Sequence, residues 1–172
     1  MKGRRVQTLM QADINLFAYH LPLDCHRELG NNAGLGRALG VPQFGPLLPE
    51  EPTLPVFVGE LPEVLSQVQV ADSLSKELGR QVLSEGDRAI RRIAWCTGGG
   101  QGYIDKAADA GADLFVTGEV SEQTIHIARE RDIGFIAAGH HATERFGVQS
   151  VGAWLSRELG VAHHFVDDDN PA

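Results

Sequence analysis

The sequence is short of cysteine, of basic charge and of long apolar runs, and each shortage removes a class of protein. Only Cys25 and Cys96 occur among the 172 residues, with no CxxC pair, so neither a disulfide framework nor a thiolate zinc site is expected and a reducing compartment fits. Lys and Arg number 15 against 23 Asp and Glu, a formal net charge of -8, which is the wrong sign for a surface that tracks the phosphates of a nucleic acid. The one basic cluster, Lys2, Arg4 and Arg5, reads as a solvated helix face. Val6 to Phe17 contains Gln7, Gln11, Asp13 and Asn15 and cannot be the core of a signal peptide, and nothing approaches the ~18 apolar residues of a membrane span. The expectation is a cytoplasmic protein with neither membrane nor nucleic acid as partner.

What is present is enough apolar material, 42% of the chain, to enclose a core as one domain or as two small lobes. Ile14 to His20 reads as a short strand running into a loop at Pro22, because proline forces Leu21 out of the helical region. Asn31 to Leu39 reads as a helix stopped by Gly40. Between Pro42 and Pro62 stand Gly45, Pro46, Pro49, Pro52, Pro55 and Gly59, a composition that marks a linker, with Leu54 to Val58 as a candidate edge strand inside it. The expected division is therefore a first α/β lobe over 1–62 and a second over 63–172.

Helical spacing predicts a helix from Pro62 to Leu78, stopped by Gly79. The rest alternates strand and helix. Strands are expected at Ile90–Cys96, Leu114–Thr117, Phe135–Ala138 and His163–Val166, with helices at Tyr103–Ala110, Ser121–Arg131 and Ala142–Leu159. The fold class is α/β, mixed sheets covered by helices, and in such sheets function collects beyond the carboxyl ends of the strands. Those loops are Thr97–Gly102, Gly118–Ser121 and Gly139–His141.

The densest constellation is Gly139-His140-His141-Ala142-Thr143-Glu144. His140 and Glu144 lie one helical turn apart, and neutral imidazole with carboxylate suits Zn, Fe, Mn or Ni. The same spacing also describes ordinary polar residues at a helix start, with Glu144 favoured there by the dipole. The second constellation is His20-Leu21-Pro22-Leu23-Asp24-Cys25-His26. An extended backbone puts His20 and Asp24 on one face, Asp24 as a ligand and His20 as its orienting neighbour, or both as the polar end of a strand. Cys25 reads as a small buried hydrophobe or, alternatively, a ligand. Thr97-Gly98-Gly99-Gly100-Gln101-Gly102 is either an anion-holding nest or a tight turn, for it lacks both the GxGxxG spacing and a following Lys-Ser/Thr. Glu119 is a candidate general base, with His126 one helix further on. His163 and His164 alternate across a strand and read as structural, and Asp167, Asp168 and Asp169 as a solvated tail.

Together, His20-LPL-Asp24, Glu28-LGNNAGL, Ala94-WCTGGGQGYID, Thr117-GEVSEQTIH, Ala138-GHHATER and the closing Asn170-Pro171-Ala172 resemble the YbgI-like, or Nif-three-like, family of dinuclear-metal proteins, often described as GTP cyclohydrolase 1 type 2. The resemblance covers nearly the whole chain. It implies an α/β subunit of a toroidal homohexamer carrying two divalent metal ions, with Asp24, His140 and the bridging Glu144 as metal ligands. It further implies metal-dependent hydrolysis of a purine nucleotide, Glu119 or His126 moving protons; the alternatives are a non-enzymatic hexameric metal-binding or regulatory protein, or an inactive truncated fragment. One departure stands out. The family's His-His-Gly loop, whose histidines complete the two-metal site, has no counterpart before Asp24, so the expectation is an N-terminally truncated member that binds metal more weakly, one ion in place of two, and exposes apolar surface.

Overall fold

The computed structural model describes residues 2–51 and 53–172; Met1, read with the basic N-terminus, and Pro52, one of the prolines of the expected linker, lie outside the described residues. The chain forms helices α1 (Lys2–Gln11), α2 (Leu21–Asp24) and α3 (Asn31–Ala38), strands β1 (Phe44–Pro46) and β2 (Phe57–Ser66), helix α4 (Gln67–Leu78), and strands β3 (Leu83–Glu85) and β4 (Ala89–Cys96). It continues through α5 (Ile104–Asp109), β5 (Leu114–Thr117), α6 (Glu122–Glu130), β6 (Gly134–Ala137), α7 (His140–Thr143) and α8 (Arg145–Leu159). The strands make one mixed sheet in the order β1-β2-β4-β5-β6-β3, with β4, β5 and β6 parallel at its centre and the outer pairings antiparallel.

Alternation along the strands builds two cores. Ile93 and Trp95 of β4, with Leu114 and Val116 of β5, face α3 and α4 through Leu35, Val70 and Leu74. Ala94, Cys96 and Phe115 face the other way, onto Ile104 and Ala107 of α5 and Ala128 of α6. Every residue of β5 and β6 is buried, the pattern required of central parallel strands covered on both faces. Local signals start and stop the covering helices. Ser66 and Gln69 form a capping box on α4, which ends at Gly79 in the left-handed region, and Ser121 with Thr124 caps α6.

The α/β class and the βαβα pattern after Ile90 are confirmed, and several boundaries are corrected. Ile14 to His20 is not a strand: it has no regular structure, Ile14, Leu16, Phe17 and Tyr19 are exposed, and no strand among the described residues pairs with it. Pro22 does not end an element but sits in the first turn of α2, where its missing N–H costs nothing. The strand expected at Leu54–Val58 is β2, shifted to Phe57–Ser66 and interior, while β1 and β3 form the edges. Residues 62–66 belong to β2 instead of the following helix, because past an irregularity between Glu60 and Leu65 the strand pairs again with β4 at Ile90 and Ala89. The expected division at 62/63 thus falls within β2. His163–Val166 is not a strand either, and His163 packs its imidazole on Gly152 of α8. Among the described residues no helix is long and apolar enough to cross a membrane.

Candidate metal centre

The loops after β4, β5 and β6 meet at one end of the parallel strands. Gly118 donates its N–H to the Gly98 carbonyl at 2.9 Å, Gly139 donates to the Gly118 carbonyl at 2.9 Å, and the Gly98 N–H donates to Thr143 Oγ1 at 2.9 Å. Thr117, fully buried, donates its hydroxyl to the Gly98 carbonyl at 3.1 Å and accepts the Gly100 N–H at 3.0 Å. The amides of Gly98 and Gly100 are therefore engaged by the hydroxyls of Thr143 and Thr117, which takes these two donors away from an anion at Thr97–Gly102. The glycines serve space. Gly98, at φ +62°, lies so close to the Glu144 carboxylate that a Cβ there would collide with it, and Gly139 at φ +98° turns the chain from β6 into α7 beneath the Arg80 guanidinium.

Into this space project His140 and Glu144. His140 Nε2 is 3.2 Å from Glu144 Oε2, and His140 Nδ1 donates to Glu119 Oε1 at 2.6 Å, so the carboxylate, which can only accept, holds the proton on Nδ1. Glu119 Oε2 in turn accepts from the Gln101 amide at 3.2 Å. The hydrogen bond from His140 holds Glu119 below the usual carboxylate range, and the bond to Glu119 raises His140 above that of an ordinary histidine. Burial pushes Glu144 up, Asp24 adds to the rise, and the facing imidazole opposes it.

Asp24 is 6% exposed, the most buried of the expected site residues, at the end of α2. Its Oδ1 accepts from Asn31 Nδ2 at 2.8 Å, and its backbone carbonyl accepts from Asn32 Nδ2 at 3.2 Å. The same asparagines reach the rest of the site: Asn31 Oδ1 accepts the Gly147 N–H at 2.6 Å, and Asn32 Oδ1 accepts the Thr97 N–H at 3.1 Å. His20 does not flank Asp24 on an extended strand; its carbonyl accepts the Asp24 N–H at 3.2 Å across the turn of α2, and its imidazole bears on Glu144 through charge. Sequence reasoning missed Asn31 and Asn32. Their one signal is the adjacent amide pair opening a helix in Asn31-Asn32-Ala33-Gly34, where a single capping residue suffices.

Burial pushes the Cys96 thiol up to about 12, and burial with the Asp24 charge also raises Cys25, so neither offers a thiolate. His126, on the exposed face of α6, stands 4.0 Å from Glu122, and no interaction joins it to His140 or Glu144 among the described residues. Among those residues, too, no three His, Cys, Asp or Glu side chains form a group arranged to hold a metal ion. The donors fit a divalent cation in kind, imidazole nitrogen facing carboxylate oxygen with the second ring nitrogen anchored on another carboxylate. In number, two converge, His140 and Glu144, and Asp24, bonded to Asn31, adds its charge to Glu144 without joining them in such a group among the described residues.

The profile of the Duf34/NIF3 (NGG1p interacting factor 3) family matches residues 1–171. A GTP cyclohydrolase 1 type 2 homolog of Pseudomonas aeruginosa is 54% identical over 173 residues, which cover 100% of this chain and 69% of that protein. Among solved structures, a protein described as ybgI, of unknown function, superposes with a TM-score of 0.93 at 48% identity, covering 100% of this chain and 69% of the other. A second, TTHA1606 from Thermus thermophilus, gives a TM-score of 0.86 at 36% identity over 99% of this chain and 67% of the other.

Proposed function

The chain belongs to the Duf34/NIF3 family, and from that premise we propose that it binds a divalent cation at His140, Glu144 and Asp24 and uses it to hydrolyse a purine nucleotide. The observation that carries the reading is the Glu119–His140–Glu144 relay: with Nδ1 held by Glu119 at 2.6 Å, the ring turns Nε2 toward Glu144, as metal-binding histidines anchored on a carboxylate do. The nucleotide comes from the name of the relatives, GTP cyclohydrolase 1 type 2 homolog. A bound cation would supply Lewis acidity beside the substrate. The protein's own part is positional. Glu119 fixes the tautomer of His140, Asn31 orients the Asp24 carboxylate, and Gly98 leaves room for Glu144. Glu119 thereby acts through His140, and His126, away on α6, has no part in this arrangement.

A toroidal homohexamer belongs to the same proposal, supported by the exposed Val6, Met10, Ile14, Leu16, Phe17 and Tyr19, apolar surface that assembly would bury. Light scattering that finds a monomer with and without metal would remove it. The cation is tested by titrating metal-free protein with Zn, Mn, Fe(II) and Ni and measuring content by mass spectrometry. One bound ion per chain is expected, with affinity reduced by about 10- to 100-fold in Glu119→Gln, which leaves the ligands themselves in place. Equal metal content in the parent and in Glu144→Gln would overturn the site, and absence of GTP turnover in every metal form would remove the hydrolysis.

A further inference from the structure

Asp167, expected in a solvated acidic tail, lies against the helix start that carries the candidate ligands. Its Oδ2 is 3.3 Å from Arg145 Nη2 and its Oδ1 is 3.6 Å from His141 Nε2. Five residues on, the Ala172 main-chain oxygen accepts the His141 backbone N–H at 3.1 Å and Arg80 Nη1 at 3.2 Å. Between tail and body remain a space of about 580 Å³ lined by Arg80, His141 and Arg145, and one of about 430 Å³ reaching from Arg145 and His141 to His140 and Glu144.

The tail fills these positions poorly. Neither Asp167 contact is a hydrogen bond, and Oδ1 already accepts the Asp168 N–H at 3.1 Å. His141 Nε2 and Arg145 Nε are buried with no hydrogen-bond partner among the described residues. A planar carboxylate with one oxygen partly engaged elsewhere serves a guanidinium fork and an imidazole together poorly, whereas a phosphate offers three oxygens in tetrahedral array. Residues 160–172 have no regular structure and are exposed throughout, so lifting them uncovers little core.

We propose that Arg80, His141 and Arg145 form an anion subsite beside His140 and Glu144 that receives the phosphates of a nucleotide, and that Asp167 and the Ala172 main-chain oxygen fill it in the free chain. The identity of the ligand rests on the nucleotide reading above; the subsite itself needs no cation. Asp168 and Asp169, which line the larger space, oppose an incoming phosphate until the tail moves, so the acidic run acts as placeholder and guard.

The test is calorimetric titration of the full chain with inorganic pyrophosphate in the presence of EDTA. Asp167→Asn removes the competing ion pair and should tighten binding by about fivefold. Arg145→Ala should weaken it by about tenfold or more, and Arg145→Lys should recover part of the loss. GTP should displace pyrophosphate where guanosine does not. Unchanged affinity in Asp167→Asn, unweakened binding in Arg145→Ala, or equal competition by guanosine would overturn the subsite. Because no metal is present, this result is independent of whether the cation or the hydrolysis proposed above survives its own test.

Discussion

The carboxyl-end loops of β4, β5 and β6 and the segment from Lys2 to Asp24 both supply the candidate centre, yet they are held in opposite ways. In the loops, backbone amides and carbonyls of Gly98, Gly118 and Gly139 bond to one another directly beyond strands whose carboxyl ends are buried, so His140 and Glu144 inherit their places from the sheet. Between Lys2 and Leu23 no residue is buried, and Asp24 is fixed by two asparagine side chains that reach down from α3. A ligand set by strand geometry is preorganised, whereas one suspended from amide side chains can be detached by a single truncation.

Loss of Trp95 would break this contrast most severely. Its indole N–H donates to the Asn32 carbonyl at 2.8 Å, and its ring meets Phe44 edge-on with centroids 5.6 Å apart, so it ties the core to the support of Asp24. Trp95→Ala should cost about 3–5 kcal/mol of stability by urea denaturation. A loss below about 1 kcal/mol, the scale of surface substitutions, would mean the two regions are not joined through this residue.

Asn32→Ala sharpens the contrast. It leaves the Thr97 N–H and the carbonyls of Asp24 and Pro55 without their partner, at a cost of about 2–3 kcal/mol in a fully buried position. Metal affinity should fall, while the histidine NMR signal of the His140–Glu119 hydrogen bond stays in place. Loss of that signal in the folded variant would show that the loops depend on the Asp24 side after all.

The smallest effect concerns the dryness of the sheet end. The Cys96 thiol, ordinarily near 9.0, is pushed up to about 12 in the folded chain, so between those values the unfolded state has lost a proton that the folded state keeps. Stability therefore falls as pH rises above 9, through this group by at most about 1.4 kcal/mol per pH unit. Denaturation at pH 8, 9 and 10 should show a shallower decline in Cys96→Ala. Identical slopes would place water at the floor of the site.

Legibility from sequence follows the range of the forces involved. Leu114–Thr117 agrees to the residue and α6 within one at either end, because three consecutive apolar residues followed by a β-branched threonine and a Ser121–Thr124 cap are local signals. The pairing of His140 with Glu144 was legible for the same reason, four residues on one turn. Ile14 to His20 misled because strand-like composition says nothing of a partner strand, and residues 62–66 misled because their pairing with β4 is a tertiary contact between positions more than twenty residues apart.

By itself the sequence determined the alternating α/β order after Ile90, the three loops where the candidate residues gather, and the identity of His140, Glu144 and Asp24 as candidates. Each depends on hydrophobic period, turn chemistry or motif, all readable within a few residues. Only the tertiary structure decided that Glu119 holds the His140 ring, that Asn31 and Asn32 carry Asp24, that His126 stands apart, and that Asp167 folds back onto Arg145. These contacts join residues separated by up to 22 positions in the chain or lying on different elements, and hydrogen bonds act over about 3 Å, so nothing short of the folded chain brings their partners within range.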